Sequence, residues 1–171
     1  VASGFTELDY KTAGFQPSNL ILIAARPSMG KTAFVLNIAE HVCFKQNLSV
    51  AIFSLEMSKE ELANRLISLE SRVDAQSLRN GNLNERDWDG IVEGAGVIAK
   101  SGLIIDDTPG ISIGELRSKC RKYKLENDIQ MVIIDYLQLM SAGGRIESKV
   151  QEISEISRAL KSLARELKVP V

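Results

Sequence analysis

Residues 20–32 of this 171-residue chain read LILIAARPSMGKT, and this stretch decides the fold. Residues 20–24 form a short apolar run with two β-branched isoleucines, which predicts a buried parallel strand. The loop that follows ends in Gly-Lys-Thr, and residues 33–43 then place apolar side chains on one helical stripe. A strand, a loop ending in Gly-Lys-Thr and a helix together are typical of a phosphate-binding loop.

The loop supplies a predicted nucleotide-binding set, which consists of Ser28, Met29, Gly30, Lys31, Thr32 and Ala33. Backbone N–H groups at the start of the new helix would surround the phosphates. The Lys31 ammonium would reach the β- and γ-phosphates, and the Thr32 hydroxyl would ligate Mg²⁺. One position departs from the usual pattern, which opens with glycine where this chain has Ala25.

Composition and charge exclude several classes of protein. Hydrophobic content of 44% and charged content of 25% are ordinary for a globular protein, and no apolar run reaches membrane-spanning length. The net charge of −1 does not suit a protein that coats nucleic acid with its whole surface. Two isolated cysteines and a start without a signal-peptide pattern favour a cytoplasmic location. Because His41 is the only histidine, a histidine-based zinc site or triad within the chain is excluded.

Apolar runs alternate with amphipathic stretches along the rest of the chain. Residues 50–54, 103–106 and 130–135 are predicted to be buried strands, with helices between them. This alternation predicts an α/β fold with a mostly parallel sheet covered by helices on both faces. Residues 169–171 have the pattern of the first part of a fifth strand, so that 1–171 is expected to be one domain truncated at that strand.

Polar side chains follow three of these strands. Asp135 ends the most apolar one, so its carboxylate would emerge beside the phosphate-binding loop and hold Mg²⁺ through water. Asp106 also ends a strand, but the sequence Asp-Asp-Thr-Pro-Gly is typical of a turn and favours a structural role. Glu56 fits either a base that orients the attacking water or a solvated acid at a helix start. Gln138 fits either a γ-phosphate sensor or an ordinary loop residue.

Seven segments together carry a family resemblance. In chain order they are SGFTELD, AGFQPSNL, AARPSMGKT, FSLEMS, DDTPGIS, IDYLQLM and EISRALKSLARELKVPV. They resemble the C-terminal RecA-like motor domain of the bacterial DnaB-type replicative DNA helicases, and the likeness covers essentially the whole chain. The resemblance implies a RecA-like P-loop NTPase over residues 1–171. It also implies a homohexameric ring that uses ATP and Mg²⁺ to move 5′ to 3′ on single-stranded DNA and unwind duplex at the replication fork, meeting primase and a helicase loader through the full-length protein.

The resemblance also implies roles for individual residues. Lys31 and Thr32 match the family's phosphate- and Mg²⁺-binding pair, and Asp135 matches its Mg²⁺ aspartate. Glu56 matches the catalytic glutamate, and Gln138 matches the residue that links the γ-phosphate to a DNA-facing loop.

That loop corresponds to residues 141–149, and its implied DNA-binding residues are Gly144, Arg145, Glu147 and Lys149. The family usually has Asn-Arg-Gln where this chain has Ser-Lys-Val at 148–150. A lysine keeps the charge of arginine but loses its bidentate grip on phosphate.

Two rival functions are considered against the helicase motor. A RecA-type recombination ATPase would lack DYLQLM. A non-hydrolysing, nucleotide-gated scaffold or loading partner would keep Lys31 and Thr32 but lose Glu56 or Asp135. All of these features are present, which favours the motor. Since the family completes its site at a subunit interface, the isolated fragment is expected to hydrolyse ATP poorly.

Overall fold

The structure is a computed structural model that describes residues 1–143 and 148–171. In chain order its elements are α1 (Thr6–Thr12), α2 (Lys31–Glu40), a π-helical turn (His41–Lys45), β1 (Val50–Ser54), α3 (Lys59–Ser71), α4 (Ala75–Asn80), α5 (Glu85–Lys100), β2 (Leu103–Asp106), α6 (Ile113–Asn127), β3 (Met131–Asp135), a 3₁₀ turn (Leu137–Leu139) and α7 (Lys149–Leu167). Across the described ranges, none of the helices combines the length and apolar character needed to cross a bilayer.

The three strands form a parallel sheet in the order β2-β1-β3. In its register, Phe53 of β1 lies beside Asp106, and Ser54 lies beside Asp135. The predicted strands over 50–54 and 103–106 are confirmed, and the one over 130–135 forms from Met131 onward. Because the strands are parallel, both aspartates lie at the carboxyl edge, on opposite sides of β1.

Helices cover both faces of this sheet, as predicted. Alternate residues of β1 point to opposite faces, with Ala51 and Phe53 in one apolar core and Val50 and Ile52 in the other. The first core is completed mainly by α6 and α7, and the second mainly by α2 and α3. A strand buried on both faces explains why β1 reads as a continuous apolar run rather than an alternating one.

The strand predicted over residues 20–24 is not formed, and that prediction is wrong. The Ile21 N–H donates to the Val171 carbonyl at 2.8 Å, and the Val171 N–H donates to the Asn19 carbonyl at 2.9 Å. Beyond Ile21, residues 22–25 make no backbone hydrogen bond within the described part of the chain, and Leu22 is 69% exposed. Apolar sequence is therefore not sufficient here, because a strand requires a hydrogen-bonded neighbour along its length.

Residues 169–171 lie between this segment and β3. The Val132 N–H donates to the Pro170 carbonyl at 3.1 Å, which places the segment on the outer side of β3 although it is not itself a regular strand. Beside it lies a largely apolar cavity of about 360 Å³, lined by residues 20–25, by β3 and by one side of α7. The cavity therefore borders the sheet on the side of the phosphate-binding loop.

Candidate nucleotide-binding site

A tight turn leads from residue 25 into α2. The Met29 N–H donates to the Arg26 carbonyl at 3.3 Å, and Ser28 takes a positive φ of 62°. Gly30 follows with a φ of 88°, in the left-handed region that glycine enters at little cost. Met29 is 72% exposed, so its side chain does not hold the turn in place. Backbone conformation, more than side-chain packing, shapes this loop.

The start of α2 is open to a ligand. Within the described residues, no side chain caps this helix end. The first intrahelical bond at this end is donated by the Phe34 N–H, to the Gly30 carbonyl at 2.9 Å. The N–H groups of Lys31, Thr32 and Ala33 therefore precede the helical hydrogen-bond ladder, as at any helix start. Such a group of N–H donors at the positive end of a helix suits a phosphate.

Asp135 meets the first two residues of α2. The Thr32 hydroxyl donates to Asp135 Oδ2 at 2.7 Å, and Lys31 Nζ lies 3.6 Å from Asp135 Oδ1. The carboxylate is almost fully buried, with 6% of its side chain exposed. A hydroxyl and a carboxylate are oxygen ligands of the kind that Mg²⁺ prefers. The structure thus brings together three residues that the sequence placed in the phosphate and magnesium sites.

Tyr136 adds a contact that the sequence analysis missed. Lys31 Nζ lies 4.0 Å from the centroid of the Tyr136 ring. An ammonium over an aromatic face is attracted by the negative potential of the ring. The position of Tyr136 directly after Asp135 is the one sequence signal that could have indicated this contact.

Glu56 is an exposed residue of the connection between β1 and α3. The connection is tied at both ends, since the Leu55 N–H donates to the Asp135 carbonyl at 2.8 Å and the Lys59 N–H donates to Asp107 Oδ2 at 3.0 Å. Ser58 then caps α3 through a reciprocal pair of bonds with Glu61, so that the helix begins directly after this connection. Glu56 therefore stands at the same edge of the sheet as Asp135.

Gln138 lies in the exposed 3₁₀ turn that follows β3. Lys149 Nζ donates to the Gln138 carbonyl at 3.4 Å and to Glu152 Oε2 at 2.9 Å. The bond from Lys149, followed by one from the Ala142 N–H, lowers the pKa of Glu152. The other predicted DNA-binding residues of this loop, Gly144, Arg145 and Glu147, lie outside the described residues. Lys149 is thus placed at the start of α7, close to the Gln138 turn.

Asp106, the second aspartate at this edge, is bonded differently. Its Oδ2 accepts from Lys119 Nζ at 2.7 Å, and its Oδ1 accepts from the Thr108 N–H at 3.0 Å. Burial raises the pKa of Asp106, but the hydrogen bonds from Lys119 and Thr108 outweigh it and hold that pKa below its usual range. Both oxygens are engaged within the protein, as a structural aspartate requires.

At the carboxyl edge of the parallel sheet lie a helix start that is preceded by glycine, a lysine, a threonine and a buried aspartate. This combination defines an α/β protein of the P-loop class. The sequence matches the model of the DnaB-like helicase C terminal domain over residues 1–171. The chain belongs to the family of DnaB-like helicase C-terminal domains, and its RecA-like fold is that of the family's ATPase domains.

Relatives and solved structures agree with this assignment. The chain is 55% identical to the replicative DNA helicase DnaC of Bacillus subtilis (strain 168) and 53% identical to the replicative DNA helicase DnaB of Geobacillus stearothermophilus. All of the chain matches, but it spans only 38% of the length of each relative.

Two solved structures superpose on the whole chain at 42% identity. One is a DnaB-like replicative helicase studied for its interactions with primase (TM-score 0.93, 42% of that chain covered). The other is a structure of an ATPase domain (TM-score 0.94, 61% of that chain covered).

Proposed function

We propose that this chain is the ATP-hydrolysing motor of a replicative DNA helicase that moves 5′ to 3′ along single-stranded DNA and unwinds the duplex. The observation that carries the proposal is the meeting of Lys31, Thr32 and Asp135 at the open start of α2. Relatives named as replicative DNA helicases support the same reading. We place its action in the cytoplasm, where bacterial chromosomes are copied.

The residues present fit ATP and Mg²⁺. Among the described residues no cluster of three or more His, Cys, Asp or Glu side chains could hold a metal alone. Mg²⁺ does not need one, because it commonly binds through one or two protein oxygens together with substrate phosphates and water. Thr32 and Asp135 would supply those oxygens, and the backbone of residues 28–33 with Lys31 would hold the phosphates. When bound, the ion offsets the negative charge that develops on the phosphates.

Glu56 and Gln138 receive the two remaining roles. We assign to Glu56 the orientation of the attacking water and the acceptance of its proton, which needs an accessible carboxylate at the carboxyl edge. Its exposure and its position beside the Asp135 backbone support that role. Gln138 would report the state of the γ-phosphate to the loop over 141–149, and the contact between Lys149 and the Gln138 carbonyl supports such a connection.

DNA would be gripped by that loop, through Gly144, Arg145, Glu147 and Lys149. A single loop provides few phosphate contacts, and the net charge of −1 gives no general attraction to DNA. Several copies arranged around one strand would add their loops together, which supports a homohexameric ring. Primase and a helicase loader are proposed partners of the full-length protein.

We also propose that residues 1–171 form one RecA-like unit whose sheet is completed by further residues of the longer protein. The cavity beside β3 supports this, since it is largely apolar and is bordered by residues 22–25, whose backbone has no hydrogen-bond partner in the part of the chain that the structure describes. An extended segment that continues the line of residues 169–171 would cover the exposed Leu22 side chain.

The proposal is tested by ATP turnover of the full-length protein with and without single-stranded DNA. We expect stimulation by DNA, and a loss of turnover by a factor of about 10² or more in Glu56→Gln, as for other general bases. Glu60→Gln is the matched control, because Glu60 is also an exposed acid and lies in the first turn of α3.

Equal turnover of Glu56→Gln and the unmodified protein would remove Glu56 from the chemistry. Tight nucleotide binding without turnover in the unmodified protein would instead contradict the motor as a whole.

A further inference from the structure

The Lys31 ammonium has two partners that differ in kind. Asp135 offers Oδ1 at 3.6 Å, on a carboxylate that also accepts the Thr32 hydroxyl at 2.7 Å. Tyr136 offers the face of its ring, with the centroid 4.0 Å from Nζ. A carboxylate neutralises the charge of a cation, whereas an aromatic face attracts the cation without carrying a net charge of its own. Asp135 therefore reduces the attraction of Lys31 for an approaching phosphate, whereas Tyr136 leaves that attraction intact.

We propose that Tyr136 is a positioning residue that holds the Lys31 ammonium in place for phosphate while leaving its charge available. The inference rests on the proposed nucleotide binding at this loop. Lysine has a long flexible stem, and fixing it costs rotamer entropy that a binding site must offset. Phosphate oxygens compete with the Asp135 carboxylate for Nζ, since all of them are anionic acceptors. The ring is the partner that Lys31 keeps when that exchange occurs.

The backbone on both sides of Tyr136 is anchored, which limits where its ring can lie. Tyr136 follows Asp135 directly, and its carbonyl accepts from the Leu139 N–H at 3.1 Å in the 3₁₀ turn. The Asp135 carbonyl in turn accepts from the Leu55 N–H at 2.8 Å. Both partners of Lys31 therefore belong to one anchored segment, and the ring holds the ammonium beside the carboxylate proposed for Mg²⁺.

The contact itself is tested by NMR of the 171-residue chain with ¹³C-labelled lysine. Protons above an aromatic ring resonate upfield, so the Hε signals of Lys31, identified by their loss in Lys31→Arg, should lie upfield of the other lysines. The shift should disappear in Tyr136→Leu and persist in Tyr136→Phe. Tyr10→Leu is the matched control, because it makes the same change at a side chain that is 90% exposed. Unshifted Lys31 signals in the unmodified chain overturn the proposal, whether or not the variants fold.

The functional consequence is tested by calorimetric titration of the full-length protein with magnesium pyrophosphate. The Lys31 side chain is 27% exposed, so solvent partly screens the contact. A solvent-screened cation–π contact corresponds to a loss of about two- to fivefold in affinity for Tyr136→Leu, with Tyr136→Phe restoring the unmodified value. Equal affinities of Tyr136→Leu and the unmodified protein overturn the positioning role. If the unmodified protein binds neither magnesium pyrophosphate nor magnesium ADP, the proposed nucleotide site is overturned, and the positioning role with it.

Discussion

Asp106 and Asp135 lie at the carboxyl edge of the sheet, on opposite sides of β1. Replacing Asp106 by asparagine removes the negative charge on its side. The Asp106 side chain is 10% exposed and receives the Lys119 ammonium at 2.7 Å, while Lys119 is 28% exposed. A hydrogen bond to a charged group contributes roughly 1.5–3 kcal/mol to stability. Because Lys119 is partly exposed, solvent screens the interaction and places it in the lower half of that range. Since asparagine keeps an acceptor for the Thr108 N–H, we expect a loss of about 2 kcal/mol in the free energy of unfolding. For a chain of this size the melting temperature would fall by about 4–8 °C.

The same pair predicts how stability depends on pH. The pKa of Asp106 is lowered from its ordinary value of 3.8, so the pair's contribution is present above that pH and is lost as the pH falls through the lower, folded value. The hydrogen bond to Asp106 raises the pKa of Lys119 above its ordinary 10.5. At alkaline pH the contribution is therefore lost only as the pH rises through that raised value. Asp106→Asn should abolish the acidic dependence and weaken the alkaline one, because Lys119 Nζ also lies 3.5 Å from Glu115 Oε1.

Urea denaturation followed by circular dichroism measures both effects. Asp89→Asn, at an exposed position on α5, is the matched control and should change the free energy of unfolding by less than about 0.5 kcal/mol. Nucleotide affinity of Asp106→Asn should equal that of the unmodified protein, whereas Asp135→Asn should weaken magnesium-dependent binding. Unchanged stability together with lost nucleotide affinity in Asp106→Asn would refute the structural role.

Further predictions concern the backbone and the thiols. Gly30→Ala places a Cβ at a φ of 88° and should cost about 1–2 kcal/mol of unfolding free energy. Gly96→Ala, in α5 with no atom within 4 Å of the new Cβ, should raise the free energy of unfolding by about 0.5–1 kcal/mol. Urea denaturation that finds Gly30→Ala more stable than Gly96→Ala would contradict both expectations. Burial raises the pKa of Cys43 to about 11 and that of Cys120 to about 12. Neither thiol should react with a chromogenic disulfide near neutral pH until urea unfolds the chain, and rapid reaction of the native protein would show that a thiol is accessible.

Much of the fold could be predicted from the sequence because burial imposes a readable pattern. β1 is buried on both faces and so appears as an unbroken apolar run, and β3 shows a similar run although its Ile133 and Ile134 are only partly buried. Ser58 and Glu61 predict the start of α3, because the reciprocal cap needs those two residue types at that spacing. Asp135 could be placed for a similar reason, since an acid that ends a central strand must emerge at its carboxyl edge.

Other features depend on distant partners, which sequence patterns do not encode. Residues 20–24 have the composition of a strand, but among the residues that the structure describes Ile21 alone of these five finds a backbone partner, in Val171. The contact between Lys31 and Tyr136 depends on the direction of two side chains from separate elements. Glu56 and Gln138 are exposed, so that packing constrains neither residue, and their roles stay predictions.

The connection that carries Glu56 has fixed ends, at Leu55 through β3 and at Lys59 through Asp107. A segment this short cannot accommodate an inserted residue while both of its ends stay bonded. One inserted residue would have to break an end bond, unseat the Ser58 cap or push Glu56 out of line with Asp135. The turn at Gly81 between α4 and α5 touches none of these bonds, so that it is the better place for a tag or a grafted loop.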